Sequence, residues 1–564
     1  MPQKGKTLNV VIGGEAGQGL VTIGSLLAKC LVRQGYFIVV TQDYQSRIRG
    51  GHNSFMIRVS EEEIFSSQDG IDLLIALNAQ SVVIHERNVL PEGTIVSGES
   101  ADGEKILKVP YEDFADKRFL NTAALGVAAS LLGIEESLVI DIIDETFRRK
   151  GEEVAKQNKL AVKKAYEWKL SHKVKFEGFS KPKKSEKRIM LNGNEAIALG
   201  AISAGLKFLS FYPMTPATSI ALTVTKHALD MGIITEQAED EIAAINMAIG
   251  ASFAGAPSMV TTSGGGFALM VEGISLAAMT ETPVVIVVAQ RPGPATGLPT
   301  RTEQADLEFV LHSGHGEFPR AIFAPGDIEQ CFHLTRKAFE IAEKYQSPVF
   351  ILTDQFLADS YRTVEPFKDC HPYHDINSKS IQDKKYLRYE ITDDGISPRK
   401  LPGESQDLVI ADSDEHTEDG HLTEDLGIRK IMVEKRNRKG DGILADIVPP
   451  ELCGEKNPDI LLVTWGSTKG AALEATERLL EKGRKASVLF FPQLWPMDPQ
   501  SYLPFLEGAG KIACVEGNST GQLARLIRRE SGFLIESKIL RYDGLPITPE
   551  YIMNALSAEL RWLQ

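Results

Sequence analysis

The stretch Glu239-Asp240-Glu241-Ile242-Ala243-Ala244-Ile245-Asn246-Met247-Ala248-Ile249-Gly250-Ala251, followed by Thr261-Thr262-Ser263-Gly264-Gly265-Gly266-Phe267, places a carboxylate at the mouth of an apolar helix. From Ile242 to Ala256 nearly every residue is Ala, Ile, Met, Gly or Phe, which predicts a helix buried on most sides and packed through small side chains. The acid-rich residues Glu236 to Glu241 suit a helix N-terminus, where a capping oxygen and negative charge complement the free N–H groups. A cap accounts for one carboxylate there. A second one, turned into an apolar helix, needs a chemical reason.

The flanking sequence reads as a doubly wound α/β domain over residues 189–368. A helix opens after Met190 with Asn194 as its expected N-cap. Strand Phe208 to Tyr212 stops at Pro213-Met214-Thr215-Pro216, where two prolines forbid continuation and hold Thr215 at the strand's carboxyl end. Open α/β sheets place ligand contacts at that end. Strand Met259 to Thr262, a Gly264-Gly265-Gly266 turn, helix Phe267 to Met279 and strand Val284 to Ala289 follow. The next loop, rich in Pro and Gly, carries Arg301 among hydroxyls, a setting for bidentate capture of a small carboxylate or for a structural salt bridge.

Ahead of this domain, residues 1–172 read as another open α/β sheet with a helical tail. Strand Leu8 to Ile12, the loop Gly13 to Gly19 and helix Leu20 to Gln34 make a strand, glycine loop and helix, in which Gly14, Gly17 and Gly19 would cradle a phosphate or simply permit tight packing. Arg47 and Arg49 beside Gly50-Gly51 are candidates for a phosphate, a partner's carboxylate or a subunit contact, and Ser54 to Val59 alternates like an edge strand. The basic segment 173–188 is expected to be a linker. After the central domain, residues 369–440 read as an irregular polar connector whose acids, His416 and His421 fit no standard metal site. Residues 441–564 form a third α/β unit, with strands Asp459 to Thr464, Ala486 to Phe491 and Lys511 to Glu516.

With 564 residues, 43% of them apolar and 24% charged, the chain is an ordinary multi-domain globular protein. Its net charge of −14 argues against nucleic acid as a partner. No apolar run reaches the roughly 20 residues that span a bilayer, and no signal-peptide pattern opens the chain, so a cytoplasmic location without membrane contact is expected. Cys30, Cys331, Cys370, Cys453 and Cys514 are scattered without a CxxC pair, and no metal site is expected from this chain alone.

The motifs Tyr212-Pro-Met-Thr-Pro216, Glu239 to Ala251, Thr262-Ser-Gly-Gly-Gly-Phe267 and Gly297-Leu-Pro-Thr-Arg-Thr-Glu-Gln-Ala-Asp306 together resemble the α subunit of 2-oxoacid:ferredoxin oxidoreductases, of the 2-oxoglutarate type with a γ domain fused ahead of α. Met214 stands where this motif more often has isoleucine, a volume-conserving exchange. The resemblance implies a thiamine-diphosphate pyrimidine-binding fold over 189–368, a γ-type domain over 1–172 and a transketolase C-terminal-like domain over 441–564. It implies that Glu241 holds the aminopyrimidine, that Tyr212, Pro213, Ser263 and Gly264 contact the cofactor, and that Thr215 and Arg301 hold the 2-oxoacid. Gly14, Gly17, Gly19, Arg47 and Arg49 become candidates for coenzyme A.

The sequence offers no convincing Gly-Asp-Gly…Asn segment to hold magnesium and diphosphate. The thiamine diphosphate site is therefore expected to be shared with a separate β subunit that brings Mg2+ and 4Fe–4S clusters, in an (αβ)2 assembly that reduces ferredoxin. The expected reaction is oxidative decarboxylation of 2-oxoglutarate with coenzyme A to succinyl-CoA. Pyruvate or branched-chain 2-oxoacids, and a non-redox thiamine-dependent decarboxylase or transferase, are the alternatives.

Overall fold

A computed structural model describes residues 6–44, 51–98, 103–179, 187–368, 385–559 and 561–563. Arg47, Arg49 and Cys370 lie outside the described residues. The chain divides into two units, Met1–Leu191 with Ser360–Pro366, and Asn192–Asp359 with Phe367–Gln564.

In the first unit an eight-stranded sheet runs in the order Ile106–Lys108, Val89–Ser97, Ile71–Ala76, Thr7–Glu15, His52–Ser60, Phe37–Asp43, Tyr361–Val364, Ile189–Asn192. Helices Leu20–Arg33, Leu120–Leu132, Glu136–Phe147 and Glu152–Ser171 supply one apolar layer of its core. The strand expected at an edge lies inside the sheet. His52–Ser60 pairs antiparallel with Thr7–Glu15 on one side and with Phe37–Asp43 on the other. Its alternation reports two different faces, not an exposed edge. Phe55, Ile57 and Val59 enter the helix-covered core, while Arg58 on the opposite face is buried with Nη1 donating to Ser66 O at 2.8 Å.

The second unit holds two sheets. A seven-stranded sheet runs Gln493–Trp495, Ala321–Phe323, Pro348–Asp354, Val284–Gln290, Ser258–Thr262, Phe208–Phe211, Ile234–Gln237, and all its strands are parallel except Gln493–Trp495. A five-stranded sheet runs Glu451–Cys453, Ala486–Phe491, Ile460–Trp465, Lys511–Glu516, Ser537–Leu540. One apolar cluster joins them, with Val260, Phe267 and Ile274 sharing it with Trp465, Phe491 and Tyr502.

Three sequence expectations are corrected here. The helix Gly193–Ala204 is capped by Asn192, not Asn194: Asn192 Oδ1 accepts from Glu195 N–H at 2.8 Å and Glu195 Oε2 accepts from Asn192 N–H at 3.1 Å. Gly264–Gly266 form no turn. They are the first residues of the helix Gly264–Met279. Within the expected connector, residues 385–425 carry only an isolated bridge between His416 and Leu422, but a long helix, Leu426–Ala445, follows. It shows no apolar stripe because its buried face is Met432, Lys435, Arg436, Lys439 and Ile443, three of them cations.

Candidate active site

Asp240 caps the helix Glu241–Phe253. Its backbone is extended and its Oδ1 accepts the Ala243 N–H at 2.8 Å. Glu239, which precedes this cap, is exposed. Glu241 instead starts a buried stripe that continues through Ala244, Ile245, Ala248, Ile249 and Ser252, and Ser210 Oγ donates to Ala244 O at 2.6 Å to seat that stripe on the sheet. The helix is buried on this face only. Ile242 and Met247 on its other side are 51% and 41% exposed, as is Leu269 of the next helix at 50%.

Glu241 is 3% exposed, and its Oε1 has no hydrogen-bond partner among the described residues. It lies against the first turn of Gly264–Met279. A methyl group on Gly266 would overlap both Glu241 Oε1 and Thr262 Oγ1. One on Gly264 would stand 2.5 Å from Asp306 Oδ2, and one on Gly265 would reach Ala295 O at 3.5 Å. Three consecutive glycines thus let two carboxylates and a loop carbonyl approach a helix N-terminus whose first N–H groups have no partner within the helix. Ser263, at the N-cap, makes no capping bond, and its buried Oγ is also unpartnered. Burial pushes the Asp306 carboxyl up to about 6, and burial together with the Asp306 charge raises Glu303 as well.

Thr215 follows the strand Phe208–Phe211 at its carboxyl end. Arg291 Nη1 donates to Thr215 O at 2.6 Å. Asn194, freed from capping, is fully buried and donates Nδ2 to Pro216 O at 2.8 Å and to Ser219 Oγ at 2.7 Å, which braces the same turn. The guanidinium brought onto Thr215 is therefore that of Arg291, whose pKa burial lowers. Arg301 sits further along the loop, with its N–H on Leu298 O at 3.1 Å and its Cβ beneath Gly544. The sequence signal for Arg291 is its place immediately after the carboxyl end of the strand Val284–Gln290.

Comparison with known proteins completes this picture. Residues 199–435 match the family model for pyruvate flavodoxin/ferredoxin oxidoreductase, thiamine diphosphate-binding, residues 9–168 that for pyruvate ferredoxin/flavodoxin oxidoreductase, and residues 453–546 that for the transketolase C-terminal domain. The 2-oxoacid:ferredoxin oxidoreductase subunit alpha of Sulfolobus sp is 32% identical across 97% of this chain and 96% of its own length. The chain belongs to the 2-oxoacid:ferredoxin oxidoreductases, as an α subunit. The 2-oxoglutarate oxidoreductase subunit KorA of Mycobacterium tuberculosis is 29% identical over 99% of this α subunit and 93% of its own chain. A solved structure of 2-oxoglutarate:ferredoxin oxidoreductase from Magnetococcus marinus, with 2-oxoglutarate, coenzyme A and succinyl-CoA bound, matches 98% of this chain and 100% of its own at 34% identity, with a TM-score of 0.91.

The residues of this α subunit fit the pyrimidine half of thiamine diphosphate. A buried, unpartnered carboxylate oxygen and a buried, unpartnered serine hydroxyl are groups that a hydrogen-bonding heterocycle would satisfy, and the three glycines bring a helix N-terminus close against that carboxylate. Among the described residues no group of three or more His, Cys, Asp or Glu could hold a metal ion. His416, from the acidic connector, is instead buried against Tyr389 with ring centroids 4.0 Å apart.

In the first unit Gly14 ends within the strand Thr7–Glu15, and Gly19 opens the helix Leu20–Arg33 with positive φ. A Cβ on Gly14 would meet Gln18 Oε1 at 2.9 Å, and one on Gly19 would overlap Asn121 Nδ2, so both permit close packing. Gly17, φ 96°, faces open space. No helix among the described residues is long and apolar enough to cross a membrane.

Proposed function

We propose that this α subunit, joined to a separate β subunit, oxidatively decarboxylates 2-oxoglutarate with coenzyme A, yielding succinyl-CoA, carbon dioxide and reduced ferredoxin. The observation that carries this reading is the buried Glu241 Oε1, unpartnered and pressed against an all-glycine helix turn. When bound, thiamine diphosphate supplies a nucleophilic carbon and an electron sink for decarboxylation. Glu241 would hold the aminopyrimidine nitrogen by hydrogen bonding, with Ser263, Gly264, Pro213 and Tyr212 around the ring. Arg291 and Arg301, both on the loop 291–306, hold the substrate carboxylate through planar forks, and Thr215, tied by its carbonyl to Arg291, orients the carbonyl.

Exposed Ile242, Met247 and Leu269 beside Glu241 favour a second subunit covering this face, which excludes water from the reacting groups. That β subunit would bring Mg2+, the diphosphate contacts and the 4Fe–4S clusters, in an (αβ)2 complex of the cytoplasm. Gly17, with Arg47 and Arg49, is the proposed contribution of the first unit to coenzyme A. Relatives named for 2-oxoglutarate, and the Magnetococcus marinus structure holding 2-oxoglutarate and succinyl-CoA, support the choice of substrate.

Co-expression with the β subunit and a panel of 2-oxoacids tests the reading. A brown complex that reduces a viologen dye only when 2-oxoglutarate and coenzyme A are both present is expected. Equal turnover of pyruvate would shift the substrate assignment, and a colourless chain that binds NAD would overturn the whole proposal.

A further inference from the structure

Residues 291–306 link the strand Val284–Gln290 to the helix Leu307–Leu311 without forming a helix or strand of their own. This loop carries Arg291 at its start, Arg301 and Glu303 near its end, and Asp306 against Gly264. A long irregular segment holds two guanidinium groups in place only if something ties it down. Its base is closed by the Asp306 N–H, which donates to Gln290 Oε1 at 2.9 Å. Its far end is tied to the other sheet of the unit, chiefly through Gln304.

Gln304 is buried, and all four of its polar groups reach residues 465–518. Its N–H donates to Gly517 O at 2.6 Å and its Nε2 donates to Trp465 O at 3.0 Å. Its Oε1 accepts from Gly517 N–H at 2.8 Å, and its carbonyl accepts from Asn518 Nδ2 at 3.1 Å. The socket is shaped for this amide. A Cβ on Gly466 would stand 2.5 Å from Gln304 Nε2, and one on Gly517 would stand 3.2 Å from Oε1. Beneath it the buried Glu516 carboxylate accepts from Trp465 Nε1 at 3.1 Å, Asn518 Nδ2 at 3.0 Å and Leu523 N–H at 2.9 Å, so one side chain fixes both walls. Gln522 Nε2 on Ala305 O at 2.8 Å and Thr302 N–H on Gly544 O at 3.2 Å extend the tie on either side.

We infer that Gln304 is a positioning residue for the reaction: seated between Trp465 and Asn518, it makes the C-terminal sheet set the place of Arg291 and Arg301 and hence the capture of the 2-oxoacid carboxylate. The catalytic part of the inference rests on the proposed function. The anchoring part does not. The C-terminal lobe is then more than a scaffold, because it fixes the substrate loop from outside the sheet that bears Thr215 and Glu241. Removing the amide leaves the shared apolar cluster around Phe267, Trp465 and Phe491 intact, so the loop loosens before the unit unfolds.

The test uses the full chain co-expressed with its β subunit, as wild type, Gln304→Met and Gln304→Glu. Methionine keeps the volume and loses the hydrogen bonds, while glutamate turns an oxygen toward Trp465 O. Amide hydrogen exchange over 291–306 is expected to quicken about tenfold or more while exchange over 241–253 holds. The KM for the 2-oxoacid should rise about tenfold, with thiamine diphosphate affinity, followed by fluorescence quenching, changing less than about twofold. Unchanged exchange in the loop overturns the inference. So does a uniform fall in melting temperature, cofactor affinity and exchange protection in both variants. If the loop loosens as expected but the wild-type complex turns over no 2-oxoacid, the anchor stands and the proposed function falls.

Discussion

Gly266 and Glu241 are matched so closely that a single methyl group on the glycine would overlap the Glu241 carboxylate oxygen. The pairing sets one helix's first turn against another helix's first residue. Gly266→Ala should leave the chain folded, since position 266 lies in a helix, but push Glu241 out of place. A displacement of this kind is expected to lower turnover by about two orders of magnitude and to weaken thiamine diphosphate binding. Titration of the cofactor against intrinsic fluorescence, beside a circular dichroism spectrum, separates loss of the site from loss of the fold.

Glu241 and Glu239 stand two residues apart with opposite fates, one buried and the other exposed. Glu241→Gln keeps the shape and removes the charge, and is expected to lower kcat by about 10²–10⁴-fold. Glu239→Gln should be close to wild type. The reverse ranking in steady-state kinetics would mean that the wrong carboxylate has been assigned.

Arg291 bonds the Thr215 carbonyl through one nitrogen, which leaves the rest of its fork for a ligand. Arg291→Lys keeps a charge but not the planar pair, and a lost charge-assisted bond raises KM by about 10–100-fold. Arg301→Lys provides the comparison. A larger KM effect at Arg301 would transfer the carboxylate contact to that residue.

Asp306 is kept desolvated beside Gly264, with its carboxyl raised to about 6 from 3.8. Between those values the folded chain holds a proton that the unfolded chain has released, so this group's contribution to stability falls as pH rises, and the penalty is full above about 6. Asp306→Asn should therefore raise the melting temperature more at pH 7.5 than at pH 4.5, while lowering kcat/KM. A variant less stable at pH 7.5 than the wild type would contradict this.

Lys435 Nζ stands 2.6 Å from Glu281 Oε1, both fully buried, and Lys439 bonds the other oxygen of the same carboxylate. Burial alone would raise the Glu281 carboxyl, but Lys435, Lys439 and Arg388 outweigh it and hold it well below the usual carboxylate range. Burial lowers both Lys435 and Lys439, against the attraction of Glu281. Glu281→Gln strands the lysines and should destabilise the second unit by about 3–5 kcal/mol. Because the folded-state value lies below the unfolded one, the unfolded chain keeps a proton that folded Lys435 gives up more readily, so this group's contribution to stability climbs as pH rises toward the ordinary lysine range. Lys435→Met should flatten the climb in thermal melts between pH 7 and 9.

This ion cluster also shows where sequence patterning stops being informative. The helix Leu426–Ala445 turns Lys435, Arg436 and Lys439 inward, so its polar residues look solvated until Glu281 and Glu415 are placed opposite them. Apolar elements were easier to read. The strands Phe208–Phe211 and Val284–Gln290 and the helix Glu241–Phe253 follow from runs of buried residue types bounded by proline and glycine. The cap at Asn192 was also written in the chain, since Glu195 stands three residues on, as a capping box requires.

The sequence by itself determined the α/β alternation, the rigid Thr215 turn, the glycine triplet and a carboxylate at the head of an apolar helix, because each depends on neighbours within a few residues. Only the tertiary structure decided that Asp240 caps the helix and Glu241 faces Gly266, that Arg291 is the arginine on Thr215, and that Gln304 docks beside Trp465. Those relationships join residues up to about 160 positions apart. Local propensity has no information about such distances, because the partner that satisfies a buried polar group is chosen by packing and hydrogen bonding across the whole unit.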